Sequence, residues 1–123
     1  MPPRRRTSPQ EGLQALEVCR AAGFASAPRE ALATAVRFTL EELAARAPGR
    51  SVEVRVPPFG AVQCMPGPIH RRGTPASVVE TDAVTWLRLV TGELDWAAAV
   101  DRGVVRASGE RAGLDDWLPL LPV

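Results

Sequence analysis

The sequence predicts an α+β layered fold in a single domain, on three observations. Apolar residues first recur at helical spacing over two segments. The period then drops to two over "SVEVRV" and the stretches after it. Short helices and one more strand close the chain, so strands neighbour strands and helices cluster instead of alternating singly. A chain of 123 residues can bury one real core and hardly two.

Residues 1–10, with the run "PRRRTSPQ", read as a disordered basic stub, and residues 11–123 as the folded domain. No apolar stretch follows the arginines, so the start matches neither a Sec nor a twin-arginine signal. The first helix runs from Glu11 to Ala22, with Leu13, Leu16 and Cys19 at spacings of three. "GFASAP" interrupts it. In the second helix Leu32, Ala35, Val36, Thr39, Leu40 and Leu43 trace one face. Pro28 suits its first turn, Glu30 favours its positive end, and Pro48-Gly49 stops it.

Val52, Val54 and Val56 alternate with Glu53 and Arg55, as a half-buried strand requires. "PPFG" breaks this strand, "AVQCM" forms a second, and "ASVVE" a third. Short breaks between neighbouring strands suggest an antiparallel meander. "TDAVTWLRLVTG" is a helix opened by Thr81 or Asp82 and closed by Gly92. "DWAAAVDRG" repeats that logic between Asp95 and Gly103. "VVRASG" is a strand, and "DDWLPLL" a terminal amphipathic helix shortened by Pro119.

Composition excludes several function classes. The net charge of +1 supplies no global field for nucleic acid or an anionic membrane. Every basic side chain is arginine, so lysine Schiff-base and phosphate-loop chemistry are impossible. No apolar run approaches the roughly 18 residues of a membrane span. Cys19 and Cys64 lie far apart without CxxC spacing, which reads as two reduced, buried thiols in the cytoplasm.

The residues that carry chemistry are few. His70, in "GPIHRRGTP", is the one histidine, and no Gly-x-Ser-x-Gly elbow accompanies it, so a nucleophilic triad is unsupported. Ser108 reads as a turn residue. Cys64 and His70 lack the further ligands zinc wants, and no glycine-rich phosphate loop occurs, so no metal or cofactor is expected. Asp115 and Asp116 are adjacent and point apart, as capping residues do. Arg55, Gln63, His70, Arg71, Arg72 and Glu80 lie on or between strands. They read either as the wet face of a one-sided sheet or as a polar grip on a ligand, where arginine forks suit carboxylate and phosphate. Trp86, Trp96 and Trp117 sit in expected helices near core positions, and core packing accounts for them better than a ligand cage.

The second half, "VVETDAVTWLRLVTGELDWAAAVDRGVVRASGERAGLDDWLPLL", resembles the C-terminal half of the sterol carrier protein type 2 family. The matching order is strand, helix ending in Gly92, short helix ending in Gly103, strand through Ala107 with Gly109-Glu110, and a last segment from Leu114 to Leu121. "RVPPFGAVQCMPGPIHRRGTP" is similar to a small actinobacterial branch of sterol carrier family proteins, which extends the likeness from about Glu11 to the end. The resemblance implies a mixed sheet of about five strands covered by helices. An apolar tunnel between the layers would carry a lipid non-covalently, without catalysis. On that model the tunnel is lined by Leu40, Leu43, Val54 and Trp86, together with Leu87, Val90, Trp117 and Leu121. Arg55, Gln63, His70 and Arg71 would meet the polar end of the ligand. The C-terminal "PLLPV" is not a Ser-Lys-Leu address, so a peroxisomal location does not transfer. Two other readings stay open: an accessory module beside a separately encoded partner enzyme, without a cavity, and a small enzyme using His70 as acid and base. The sequence leaves the oligomeric state undetermined.

Overall fold

Ser8 opens the first helix, α1 (Pro9–Ala22): its Oγ accepts from the Glu11 amide at 3.2 Å, and Pro9 stands where no N–H is required. Gly23, at φ 80°, closes α1 in the left-handed region, and the amides of Gly23 and Phe24 return to the carbonyls of Arg20 and Cys19. This is a computed structural model, and it describes residues 5–67, 77–109 and 112–122. His70, Arg71 and Arg72 therefore lie outside the described residues, as does Glu110.

Helix α2 (Arg29–Arg46) carries a wide buried face, from Ala33 through Val36, Phe38 and Thr39 to Leu43 and Ala44. The width has a cause. One side of α2 packs on α1, and the other on the sheet and on the third helix. A Cβ on Gly12 would fall 2.0 Å from Phe38 Cγ, so the bare glycine is what lets α1 approach the Phe38 ring.

Strands β1 (Val52–Val56), β2 (Gly60–Cys64), β3 (Ser77–Thr81) and β4 (Val105–Ser108) form one mixed sheet in the order β2-β1-β3-β4. The fold is the expected α+β layer, with four strands among the described residues in place of about five. The antiparallel meander is corrected. The turn after Val56 does make β1 and β2 an antiparallel hairpin, but β3 runs parallel to β1 on its other side. Residues 65–76 join β2 to β3, which run antiparallel to each other on either side of β1. Cys64 and Ser77 both pair with Val52, so that connection leaves and returns at one end of the sheet.

The sheet is one-sided. Val52, Val54, Val56, Cys64 and Val79 share the face buried under the helices. Glu53, Arg55, Gln63, Val78, Glu80 and Arg106 share the other, which is half-buried or exposed. Helices α3 (Ala83–Thr91) and α4 (Trp96–Asp101) begin at Asp82 and Asp95, whose carboxylates accept from Thr85 and Ala98 amides at 2.9 and 2.8 Å.

The terminal helix does not form. The amides of Trp117 and Leu118 both return to the Leu114 carbonyl, and the turn stops there. Pro119 has no N–H for a further turn, and its ring would collide with the carbonyl four residues back. The chain instead crosses the helical layer as a strap: Leu121 N donates to Val90 O at 2.9 Å, and Arg46 Nη1 to Leu120 O at 2.6 Å. Trp117 accordingly sits in this turn, half-buried, and not in a helix.

Candidate functional site

The apolar residues expected to line a tunnel divide into two groups. Leu43, Val54, Trp86, Leu87 and Val90 are fully buried and pack in one core cluster. Trp117 and Leu121 are partly buried at its margin, and Leu121 borders a separate shallow groove with Leu13 and Leu16. Leu40 belongs to the core but also reaches a cleft at the edge of the sheet.

The polar set is not brought to these residues. Arg55 and Gln63 lie on the opposite face of the sheet from Val54. Arg55 is ion-paired with Glu53, and Gln63 Oε1 accepts from Arg50 Nε at 2.9 Å. His70 and Arg71 fall outside the described residues.

The cleft beside Leu40 lies between α2 and edge strand β2 and holds about 710 Å³. Its apolar surface comes from Phe59 and Val62 over the buried Leu40, with Gly60 and Ala61 leaving room along the strand. Arg37 and Glu41, one helical turn apart on α2, line the cleft together with Leu40. The guanidinium of Arg29 stacks over the Phe59 ring at 5.2 Å, holding that ring at the mouth.

The remaining wall is the segment before α1. The amides of Arg6 and Thr7 donate to the two carboxylate oxygens of Glu41 at 3.0 and 3.1 Å, and Arg5 Nη2 donates to Glu42 Oε1 at 2.7 Å. Thr7 is buried by this docking. Glu42 also accepts from Arg46 Nε at 2.7 Å. Burial raises its carboxyl pKa, yet the hydrogen bonds from Arg5 and Arg46 outweigh that and hold it below the ordinary range. Arg6 and Arg37 side chains make no ion pair among the described residues, so the cleft carries spare positive charge.

Arg37 and Phe59 are residues that sequence reading passed over. Arg37 looked like any exposed helical arginine, and "PPFG" like a strand break. One available signal was the pair Glu41-Glu42 on a helix that also needs a partner for the arginine run near the start.

Among the described residues, no group of three or more His, Cys, Asp or Glu side chains is placed to hold a metal ion. Among them too, no helix is long and apolar enough to cross a membrane. Comparison with curated proteins gives no match. A family model described as bacterial SCP ortholog matches residues 28–120, which run from the start of α2 through all four strands to the C-terminal strap. With the α+β sheet-and-helix order already in place, the chain belongs to this sterol carrier protein-like family.

Proposed function

We propose that the protein binds and transfers a lipid or other apolar small molecule in the cytoplasm, without catalysing a reaction. Family membership over residues 28–120 carries this reading, because sterol carrier-like domains are associated with non-covalent carriage of apolar cargo. The cleft between α2 and β2 supports it: Phe59 and Val62, half-buried, offer apolar surface where solvent can be displaced.

Each methylene taken from water contributes about 0.8 kcal/mol, or roughly a fourfold gain in affinity. A homologous series of saturated alkyl ligands should therefore bind with affinity rising by about that factor per carbon. Native mass spectrometry of freshly purified protein should show a co-purified small mass. No bound mass, together with flat affinity along the series, would sink the carrier reading.

A second reading rests on the filled interior. Leu43, Val54, Trp86 and Leu87 pack against one another with no exposure, as in a module that needs no internal ligand. On that reading the protein works beside a separately encoded enzyme. A stable stoichiometric partner, recovered from protein that binds no alkyl ligand, would favour it.

A further inference from the structure

We propose that the cleft between α2 and β2 is a site for the anionic end of an amphiphile, a carboxylate or phosphate. Its cationic wall is completed by the N-terminal segment Arg5–Thr7. The proposal rests on the carrier reading above and adds both the ligand's charge and a part of the chain outside the family match, which begins at residue 28.

Three observations combine. First, the cleft is amphipathic: Phe59 and Val62, half-buried above the buried Leu40, supply apolar surface, and Arg5, Arg6 and Arg37 line the same space with Glu41. Second, the charges in it are unequally engaged. Glu41 spends one oxygen on each of the Arg6 and Thr7 amides, and Arg5 is taken by Glu42. Arg6 and Arg37 keep their guanidinium groups uncommitted among the described residues. Guanidinium forks are the side chains best shaped for a carboxylate or phosphate. Third, the segment that brings Arg6 is built in. It is pinned through two backbone amides, with Thr7 buried beneath it and Ser8 capping the helix that follows.

The site thus has a tail end and a head end. An alkyl chain would lie along the β2 edge, and its head group would displace water between Arg37 and Arg6. Glu41 also lines the cleft and acts as the positioning residue, because its two carboxylate oxygens hold the segment's Arg6 and Thr7 amides.

Isothermal titration of the full chain with dodecanoate, methyl dodecanoate, dodecyl phosphate and inorganic phosphate tests the idea. Dodecanoate and dodecyl phosphate should bind at least about tenfold more tightly than the neutral ester. Inorganic phosphate, lacking a tail, should bind far more weakly than dodecyl phosphate. Arg37→Gln should cost the anionic ligands about tenfold and leave the ester unchanged. Arg6→Gln should weaken the same anionic ligands and leave the ester unchanged, whereas Arg55→Gln, on the far face of the sheet, should change nothing. Circular dichroism checks that each variant is folded, as expected for Arg37, which is exposed and lies outside the core.

Equal affinity for acid and ester, with Arg37→Gln silent, would overturn the anion site while leaving the carrier reading intact. A loss that strikes acid and ester alike would overturn it too, by giving Arg37 a structural role only. Inorganic phosphate binding as tightly as dodecyl phosphate would make this a free-anion site and remove the amphiphile. No binding of any alkyl ligand would overturn the carrier reading and this proposal together.

Discussion

The indole N–H of Trp86 donates to Thr39 Oγ1 at 2.8 Å, joining α3 to α2 through a hydrogen bond with no solvent access. The same hydroxyl turns its proton toward the carbonyls of Ala35 and Val36, at 2.8 and 3.0 Å. It is thus satisfied within its own helix and free to accept from the tryptophan. The largest side chain of the core is fixed in orientation by a residue that periodicity alone marks only as another position on a face.

Thr39→Val keeps the volume and removes the acceptor, leaving a buried N–H unpaired. The expected cost is about 1–3 kcal/mol, read as a lower urea midpoint at unchanged slope. Trp86→Phe removes the donor, so its cost comes from lost volume. The double variant should therefore lose less than the sum of the two single changes. Strict additivity would show that the bond contributes nothing.

Gly12→Ala should destabilise the protein although alanine is the better helix former by about 1 kcal/mol. The new Cβ would sit 2.0 Å from Phe38 Cγ, so either the ring or α1 must move. Overpacking of that kind costs about 1–3 kcal/mol and outweighs the propensity gain. Thermal unfolding should show a lower midpoint, partly restored by Phe38→Leu. A raised midpoint would mean that α1 sits more loosely on α2.

These residues show where the sequence was legible. Local chemistry was: Thr81 or Asp82 and then Asp95 as caps, of which Asp82 and Asp95 serve, Gly92 as a stop, and alternating valines in β1 all act on neighbours a few positions away. Non-local choices were not. Nothing within β3 tells whether it pairs with β2 or crosses to the far side of β1. The leucines near the end kept a helical spacing that Pro119 prevents the backbone from following. The cleft was hidden for the same reason, since its wall is made by contacts 35 and 37 residues apart in the chain. The head-group residues expected on the sheet, Arg55 and Gln63, have the right chemistry but face away from the core, and one alternation in register decides that.

Both cysteines should be unreactive in the native protein. Cys64 has no exposure, and burial pushes its thiol pKa up to about 12. Burial also raises that of Cys19. The reactive thiolate is then scarce at neutral pH and shielded besides. Ellman's reagent should label neither thiol in buffer and both in denaturant, with the native rate following unfolding. Fast labelling of Cys64 without unfolding would show that the β2 edge opens.

Glu42 should give the protein a specific acid sensitivity. Arg5 and Arg46 hold its carboxyl below the ordinary 4.5 despite burial. A group whose folded pKa is depressed stabilises the fold above its unfolded value and loses that contribution as pH falls through the folded one. The stabilisation is therefore complete above about 4.5 and fades below it. Its size is small, about 1 kcal/mol or less, because Arg5 and Arg46 are partly solvated. Urea unfolding at about pH 7 should find Glu42→Gln less stable than the parent, and the gap should narrow as pH falls below about 4.5. The loss should also show locally. Protonation frees Arg5 from one side of α2 and loosens Arg46, whose other bond holds the Leu120 carbonyl. Amide exchange at Thr7 and Leu121 should accelerate together as pH drops through that range. The absence of any gap at about pH 7 would show that the Arg5–Glu42–Arg46 bridge adds nothing to the folded state.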